Sequence, residues 1–227
     1  MYNLAMRFPV TRVGLWLCFV LFAAAQIAEQ RIDFESDEAG QAPRYFTSAV
    51  TGDFKEGKWI VEDAEGAPSG KKVLAQRDAT DAGERFALCL YDSEKSADAD
   101  VEVRLKSVGG TVALTGGVVA RCIDRNNYYL ARADVLANNV RLYAVVQGQL
   151  TQLAAQPVGI EAKQWHKLRL VVSGRHLQIY FNDVMVAEAD DDALRDPGQV
   201  GVWTQADSVT LFDDLIIKPV AKKEDNK

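Results

Sequence analysis

Three carboxylates at alternate positions, Asp98, Asp100 and Glu102 in the run DADVE, are residues of this 227-residue chain whose types and spacing could do chemistry. A pair of acids can cleave a glycosidic bond, one carboxylate attacking or activating water while the other donates a proton. Retaining cleavage wants the two groups about 5 to 5.5 Å apart, whereas alternate residues of a strand lie about 6.7 Å apart along its axis and fourth neighbours about 13 Å. An unbulged strand therefore does not bring the terminal pair to hydrolytic spacing. Alternation with Val101, Val103 and Leu105 explains the acids more simply, as the wet face of a strand continued by Arg104 and Lys106. His166 and His176 have no second histidine or cysteine at metal-ligand spacing, and neither Gly-x-Ser-x-Gly nor His-Glu-x-x-His occurs.

A second constellation is Arg121, Tyr129 and Arg132, joined from late in the chain by Trp203 and Gln205. Planar guanidinium groups donate to sugar hydroxyls and aromatic rings stack on sugar faces, so this set suits a neutral glycan. Val119 and Arg121 share a strand face by alternation, which expects the arginine to look outward. The plainer alternatives are an exposed arginine paired with Asp124 or Asp134, and a Trp203 that packs in the core.

The elements that must position these residues are strands. From Ile32 onward the apolar pattern has period two. Val140–Val146, turned by Gln147-Gly148 into Gln149–Leu153, reads as a hairpin, as does Trp165–Val172 turned by Ser173-Gly174 into His176–Phe181. Asn182-Asp183 turns the chain once more into Val184–Ala187. Further strands are expected at Lys58–Val61, Phe86–Tyr91, Gly117–Ile123, Tyr128–Arg132, Gln199–Trp203 and Val209–Ile217, with a surface loop over Asp63–Gly70. Short strands without an intervening helical period predict an all-β chain of two packed antiparallel sheets.

The chain begins as an exported protein would. Arg7 and Arg12 precede an apolar run, Val13–Ala25, that ends in Ala23-Ala24-Ala25, the proportions of a signal peptide over residues 1–25. The run is shorter than the roughly 20 residues a spanning helix needs, so no membrane insertion of the mature chain is expected. A domain over 26–219 and a polar tail over 220–227 follow. The formal charge of −6 becomes −8 once Arg7 and Arg12 are removed, and an acidic domain repels phosphate backbones, which sets nucleic acid aside. Cys89 and Cys122 remain, an even pair that an oxidising compartment could bridge or the core could bury as free thiols.

Three segments carry a resemblance: Phe34-Glu35-x-Asp37-x-x-Gly40-x-x-Pro43, Gly116–Ala133 with its Ala-Arg-x-x-Asp-x-x-Asn-Tyr-Tyr core, and Gly201–Asp214 with Ala206-Asp207-Ser208. Together they resemble exported bacterial laminin-G-like, concanavalin A-like jelly rolls, some of whose relatives are 3-keto-disaccharide hydrolase domains or laminarinase-type glycoside hydrolases. The resemblance implies a jelly-roll β-sandwich whose concave sheet face binds carbohydrate, with Arg121 looking into that groove. It also implies an alternative of hydrolysis, although Asp98 stands where the laminarinase type has its first glutamate. A non-catalytic envelope module is the third reading. Jelly rolls commonly bring their first and last strands together, so Asp33 and Glu35 could meet Asp213 and Asp214 and hold a structural Ca²⁺. The simpler outcome is one aspartate solvated and the other bonded to a backbone amide.

Overall fold

The computed structural model describes residues 29–80, 83–92, 95–218 and 220; the segments read as signal peptide and, beyond Val220, as polar tail lie outside the described residues. Fifteen strands form two antiparallel sheets: β1 (Gln30–Ile32), β2 (Phe46–Thr51), β3 (Trp59–Asp63), β4 (Lys72–Gln76), β5 (Phe86–Tyr91), β6 (Ala99–Gly109), β7 (Thr115–Asp124), β8 (Asn127–Asp134), β9 (Asn139–Val146), β10 (Gln149–Pro157), β11 (His166–Ser173), β12 (His176–Phe181), β13 (Val184–Asp190), β14 (Gln199–Gln205) and β15 (Val209–Lys218). One sheet runs β13-β12-β11-β6-β15-β4-β3 with β1 added on β15, and the other β10-β9-β8-β7-β14-β5-β2. This is an all-β jelly-roll sandwich.

Period-two alternation builds it. On β6, Val101, Val103 and Leu105 face inward with Leu168, Leu170 and Val172 of β11, and they meet Val118, Ala120, Tyr129, Ala131 and Val202 of the facing sheet. Each large apolar side chain buried there contributes about 1.5–3 kcal/mol. The hairpin turns are those that match the twist of the strands: Gln147 and Gly148 have φ of 51° and 79°, Asn182 and Asp183 48° and 68°. Ala206 and Asp207 clasp the sheets between β14 and β15. The Asp207 carboxylate accepts the backbone N–H groups of Thr111, Val112 and Ala113, and although its burial works the other way, those donors hold its pKa down to about 2.

Three strands are absent from the sequence expectation. β4 (KVLAQ) is buried on both faces because the loop between β3 and β4 folds over the outside of its sheet, so it shows no alternation. β2 (FTSAVT) is an edge strand of small and polar residues, and β1 is only three residues long.

Candidate functional site

The seven-stranded sheet carries a second apolar layer on its outer face. Phe86, Leu88 and Leu90 of β5, Trp203 of β14, Val119 and Cys122 of β7, Tyr128 and Leu130 of β8, and Tyr143 and Val145 of β9 form one cluster separate from the core. Trp203 stacks on Phe86 at 5.4 Å between ring centroids. Its indole N–H donates to the Tyr128 hydroxyl (3.3 Å), which lies 2.8 Å from the Thr51 hydroxyl. Gly117 makes room for this ring, since a Cβ there would lie 3.3 Å from Trp203 and 2.7 Å from Leu130.

Polar groups stand at one end of this aromatic floor. Arg132 and Arg141 are directly opposite each other across β8 and β9, so both guanidinium groups share the outer face. The Arg132 guanidinium lies 5.2 Å over the Tyr143 ring. It donates to Gln205 Oε1 (3.1 Å) and to Asp134 Oδ2 (3.1 Å), while its Nε is buried without a partner. Arg141 donates to the Tyr143 hydroxyl at 3.3 Å. Burial lowers the Arg132 pKa; Tyr143 and Asp134 act to raise it and Arg141 to lower it further. Like charges opposite one another across strands are destabilising, so the face carries cationic donors in excess of what the fold consumes.

The five residues of the sugar-binding expectation are divided between two places. Arg132, Gln205 and Trp203 come together on the outer face, with Trp203 wholly buried as floor. Arg121 does not look outward. A register shift between Ala120 and Asp124, with Arg121 at φ 49°, breaks the alternation assumed for it. The bulge turns its guanidinium to the end of the sandwich, where it donates to the carbonyls of Ala97 (2.6 Å), Leu194 (2.7 Å) and Gly174 (2.8 Å). Tyr129 is one residue out of phase with the outer face and points to the same end. Its ring lies 5.6 Å under Arg121 and its hydroxyl donates to Asp191 at 2.6 Å. Burial, followed by the Asp191 carboxylate, pushes the Tyr129 pKa up to about 12. Above Arg121 opens a cleft of about 420 Å³, lined also by Asp98, Gly174, Arg175, Asp192 and Arg195.

Tyr143, Arg141 and Tyr128 were not singled out from the sequence. A signal existed in the alternation of Arg141, Tyr143 and Val145 within a strand already read as such, but pairing Arg141 with Arg132 required the register of the β8–β9 hairpin.

Asp100 and Glu102 stand on the outer face of the eight-stranded sheet, where Asp100 accepts from Arg169 Nε (2.6 Å) and Glu102 lies 3.7 Å from Lys167 and 3.6 Å from Lys218. Asp98 accepts the Gly174 N–H at 2.8 Å. Strand β1 does pair with β15, yet Asp33, Glu35, Asp213 and Asp214 meet protein donors rather than one another. Glu35 accepts from the amides of Lys71 and Lys72, Asp33 from that of Glu35, and Asp214 from Arg31 at 2.7 Å. Asp213 accepts from the amides of Ser69 and Asp214. Burial, with the neighbouring Asp214 and Asp33 charges, pushes its pKa up to about 7. Among the described residues no three His, Cys, Asp or Glu side chains are placed to hold a metal ion, so the donor set does not fit a Ca²⁺ cage. Cys89 and Cys122 are both free and buried, on opposite faces of their sheet, which rules out a bridge in this fold.

Comparison with solved structures finds the same fold in carbohydrate-active company. The carbohydrate-binding module CBM66 from Bacillus subtilis matches with a TM-score of 0.60 at 19% identity, covering 76% of this chain and 95% of the module. Domain 4 of AbnA, an extracellular arabinanase from Geobacillus stearothermophilus solved with arabinotriose, gives 0.53 at 15% identity over 85% and 92%. A β-1,3-1,4-glucanase from a mouse hindgut metagenome gives 0.53 at 10% identity over 85% and 99%. At these identities the likeness is one of fold. No curated protein sequence matches the chain. The family model for the 3-keto-alpha-glucoside-1,2-lyase-like domain does match it, over residues 40–218, and the chain belongs to that family.

Proposed function

We propose that this protein is an exported, periplasmic or secreted carbohydrate-binding jelly roll that holds a glycan on the outer face of its seven-stranded sheet. The observation that carries the reading is the Arg132–Tyr143–Arg141 group, planar donors around an aromatic ring in which the Arg141 guanidinium is only half-buried and makes its hydrogen bond to the Tyr143 hydroxyl. The fold shared with a carbohydrate-binding module and with an arabinotriose-bound domain supports it. Gln205 fixes Arg132, and the buried Trp203 keeps the floor rigid. Export rests on the basic-then-apolar start of the chain, and N-terminal sequencing of the mature protein should begin near Gln26.

Isothermal titration against a panel of neutral oligosaccharides tests the binding. For any glycan that binds, Tyr143→Phe and Arg141→Ala should each weaken affinity about 2- to 10-fold, the worth of one hydrogen bond. Unchanged affinity in both variants would remove this face from the site.

The family favours a second reading, cleavage of a 3-keto-glucoside. A ketone at C3 acidifies the C2 hydrogen; a base takes that proton, the C1–oxygen bond breaks, and the departing oxygen takes up a proton. Asp98 and Asp192, which line the cleft above Arg121, are the carboxylates available there as base. Release of the aglycone from a 3-keto-glucoside, lost in Asp192→Asn and Asp98→Asn, would establish it; no release by the wild-type protein would exclude it.

A further inference from the structure

We propose, as an extension of the cleavage reading and resting on it, that Arg121 stabilises the enolate oxygen of a 3-keto-glucoside while Asp98, beside it in the cleft at the sandwich end, takes the proton from C2. The cleft measures about 420 Å³, within the roughly 300–1,000 Å³ range of small-ligand sites. The loop before β6, the β11–β12 turn and the loop before β14 meet around it, and Arg121 donates to one carbonyl of each: Ala97, Gly174 and Leu194. Those bonds use three of the five N–H groups of a guanidinium, which leaves one on each terminal nitrogen. Asp98 Oδ1 lies 3.6 Å from Nη2, too far for a hydrogen bond. The arginine is 3% exposed and the Asp98 side chain 35%. A buried cation bonded to neutral carbonyls and only loosely paired with a carboxylate keeps its capacity for a negative charge that develops in the cleft.

Both groups are held in place. The φ of 49° at Arg121 is a conformation that residues other than glycine seldom adopt, and such strain clusters at functional sites. Gly198 admits the bulge, because a Cβ there would overlap the Arg121 carbonyl carbon and stand 2.5 Å from the Cys122 nitrogen. The Asp98 carboxylate accepts the Gly174 N–H at 2.8 Å and its carbonyl accepts the Ser96 hydroxyl at 2.5 Å. Asp192 is bonded instead to Arg195 at 2.6 Å. Carboxylate and guanidinium side by side match a substrate whose C2 hydrogen and C3 oxygen sit on adjacent carbons. As Asp98 takes the C2 proton, the C2–H electron pair forms a C2=C3 double bond and the carbonyl π pair moves onto the C3 oxygen, where an Arg121 N–H meets the charge. The C3 carbonyl then re-forms, the C2=C3 pair shifts to C1=C2, the C1–oxygen bond breaks with its pair, and the proton on Asp98 passes to the departing oxygen.

The test follows deuterium entering C2 of methyl 3-keto-α-D-glucoside in D₂O by proton NMR, with methanol release read in the same sample. Wild-type protein should exchange C2 at a saturable rate, and Asp98→Asn, which keeps an acceptor for the Gly174 N–H, should slow that exchange at least about 100-fold. Arg121→Gln should lower kcat for exchange about 10²–10³-fold with KM changed less than about threefold; a purely structural arginine would lower the melting temperature and leave the kcat of the folded fraction intact. Because Arg121→Gln leaves carbonyls unpaired and can unfold the chain, a second measurement uses ¹⁵N-labelled Asp98→Asn protein. Its Arg121 guanidinium signals, assigned through bonds from the backbone amide, should shift saturably with methyl 3-keto-α-D-glucoside and not with methyl α-D-glucoside, which lacks the ketone. Exchange that survives in Asp98→Asn or in folded Arg121→Gln, or guanidinium signals indifferent to the ketone, would overturn the proposal while wild-type exchange still supported the cleavage reading. Neither exchange nor release by the wild-type protein would exclude that reading and this proposal with it.

Discussion

The outer faces of the two sheets solve opposite problems with the same alternation. On the eight-stranded sheet, Asp100 meets Arg169, which also lies 4.7 Å over the Tyr180 ring, and Glu102 is flanked by Lys167 and Lys218. Those charges are consumed within the sheet. On the seven-stranded sheet Arg132 and Arg141 oppose each other, Asp134 pairs with Arg132, and the half-buried Arg141 guanidinium bonds the Tyr143 hydroxyl. A face whose charges cancel is a finished surface, whereas one that retains cationic donors has capacity for a ligand. Two of the acids that first suggest catalysis, Asp100 and Glu102, therefore belong to the finished face, whereas Asp98 lines the cleft at the sandwich end.

The largest effect that would sharpen this contrast is at Asp213, on the eight-stranded side. Its folded pKa of about 7 lies above the ordinary 3.8, so the folded state binds the extra proton. The stability that proton brings is full below about pH 4 and is lost as pH rises through 7, on the order of 4 kcal/mol in all. Asp213→Asn should flatten that decline between pH 5 and 8 in urea melts; a wild-type protein whose stability rises over the same interval would contradict the assignment.

Next in size, Asp100→Ala removes the two hydrogen bonds of the partly exposed Arg169 guanidinium and should cost about 1.5–3 kcal/mol in denaturant unfolding while leaving glycan affinity unchanged. Arg141→Met should do the reverse. Relief of the opposing charge on Arg132 makes it neutral to slightly stabilising, about 0.2–1 kcal/mol, yet it lowers glycan affinity. If both substitutions cost stability and neither touched binding, the two faces would not differ in kind. The smallest expected effect is that of calcium: melting curves in EDTA and in added Ca²⁺ should coincide, because Glu35 and Asp214 already serve the amides of Lys71 and Lys72 and the Arg31 guanidinium. A clear rise with Ca²⁺ would mean that those carboxylates rearrange around the ion.

Much of this architecture is legible in the sequence, because alternation is local. DADVEVRLK announces a strand with one wet face, and Gln147-Gly148 and Asn182-Asp183 announce their turns. The site is less legible because it depends on departures from alternation and on register. Arg121 obeys the pattern on paper, but one bulge between Ala120 and Asp124 carries its guanidinium to the sandwich end. Tyr128 and Tyr129 are adjacent in sequence, and nothing local says which one faces out. Arg141 acquires meaning only when the β8–β9 pairing sets it beside Arg132. The sequence also left open whether Cys89 and Cys122 pair, a question decided by their placement on opposite faces of one sheet.

Backbone amide shift mapping with a glycan that binds tests the central claim most directly. The account predicts perturbations confined to β7, β8, β9 and β14 and centred on Arg132, Arg141, Tyr143 and Gln205. Perturbations centred instead on β6, β11 and β12 would contradict it.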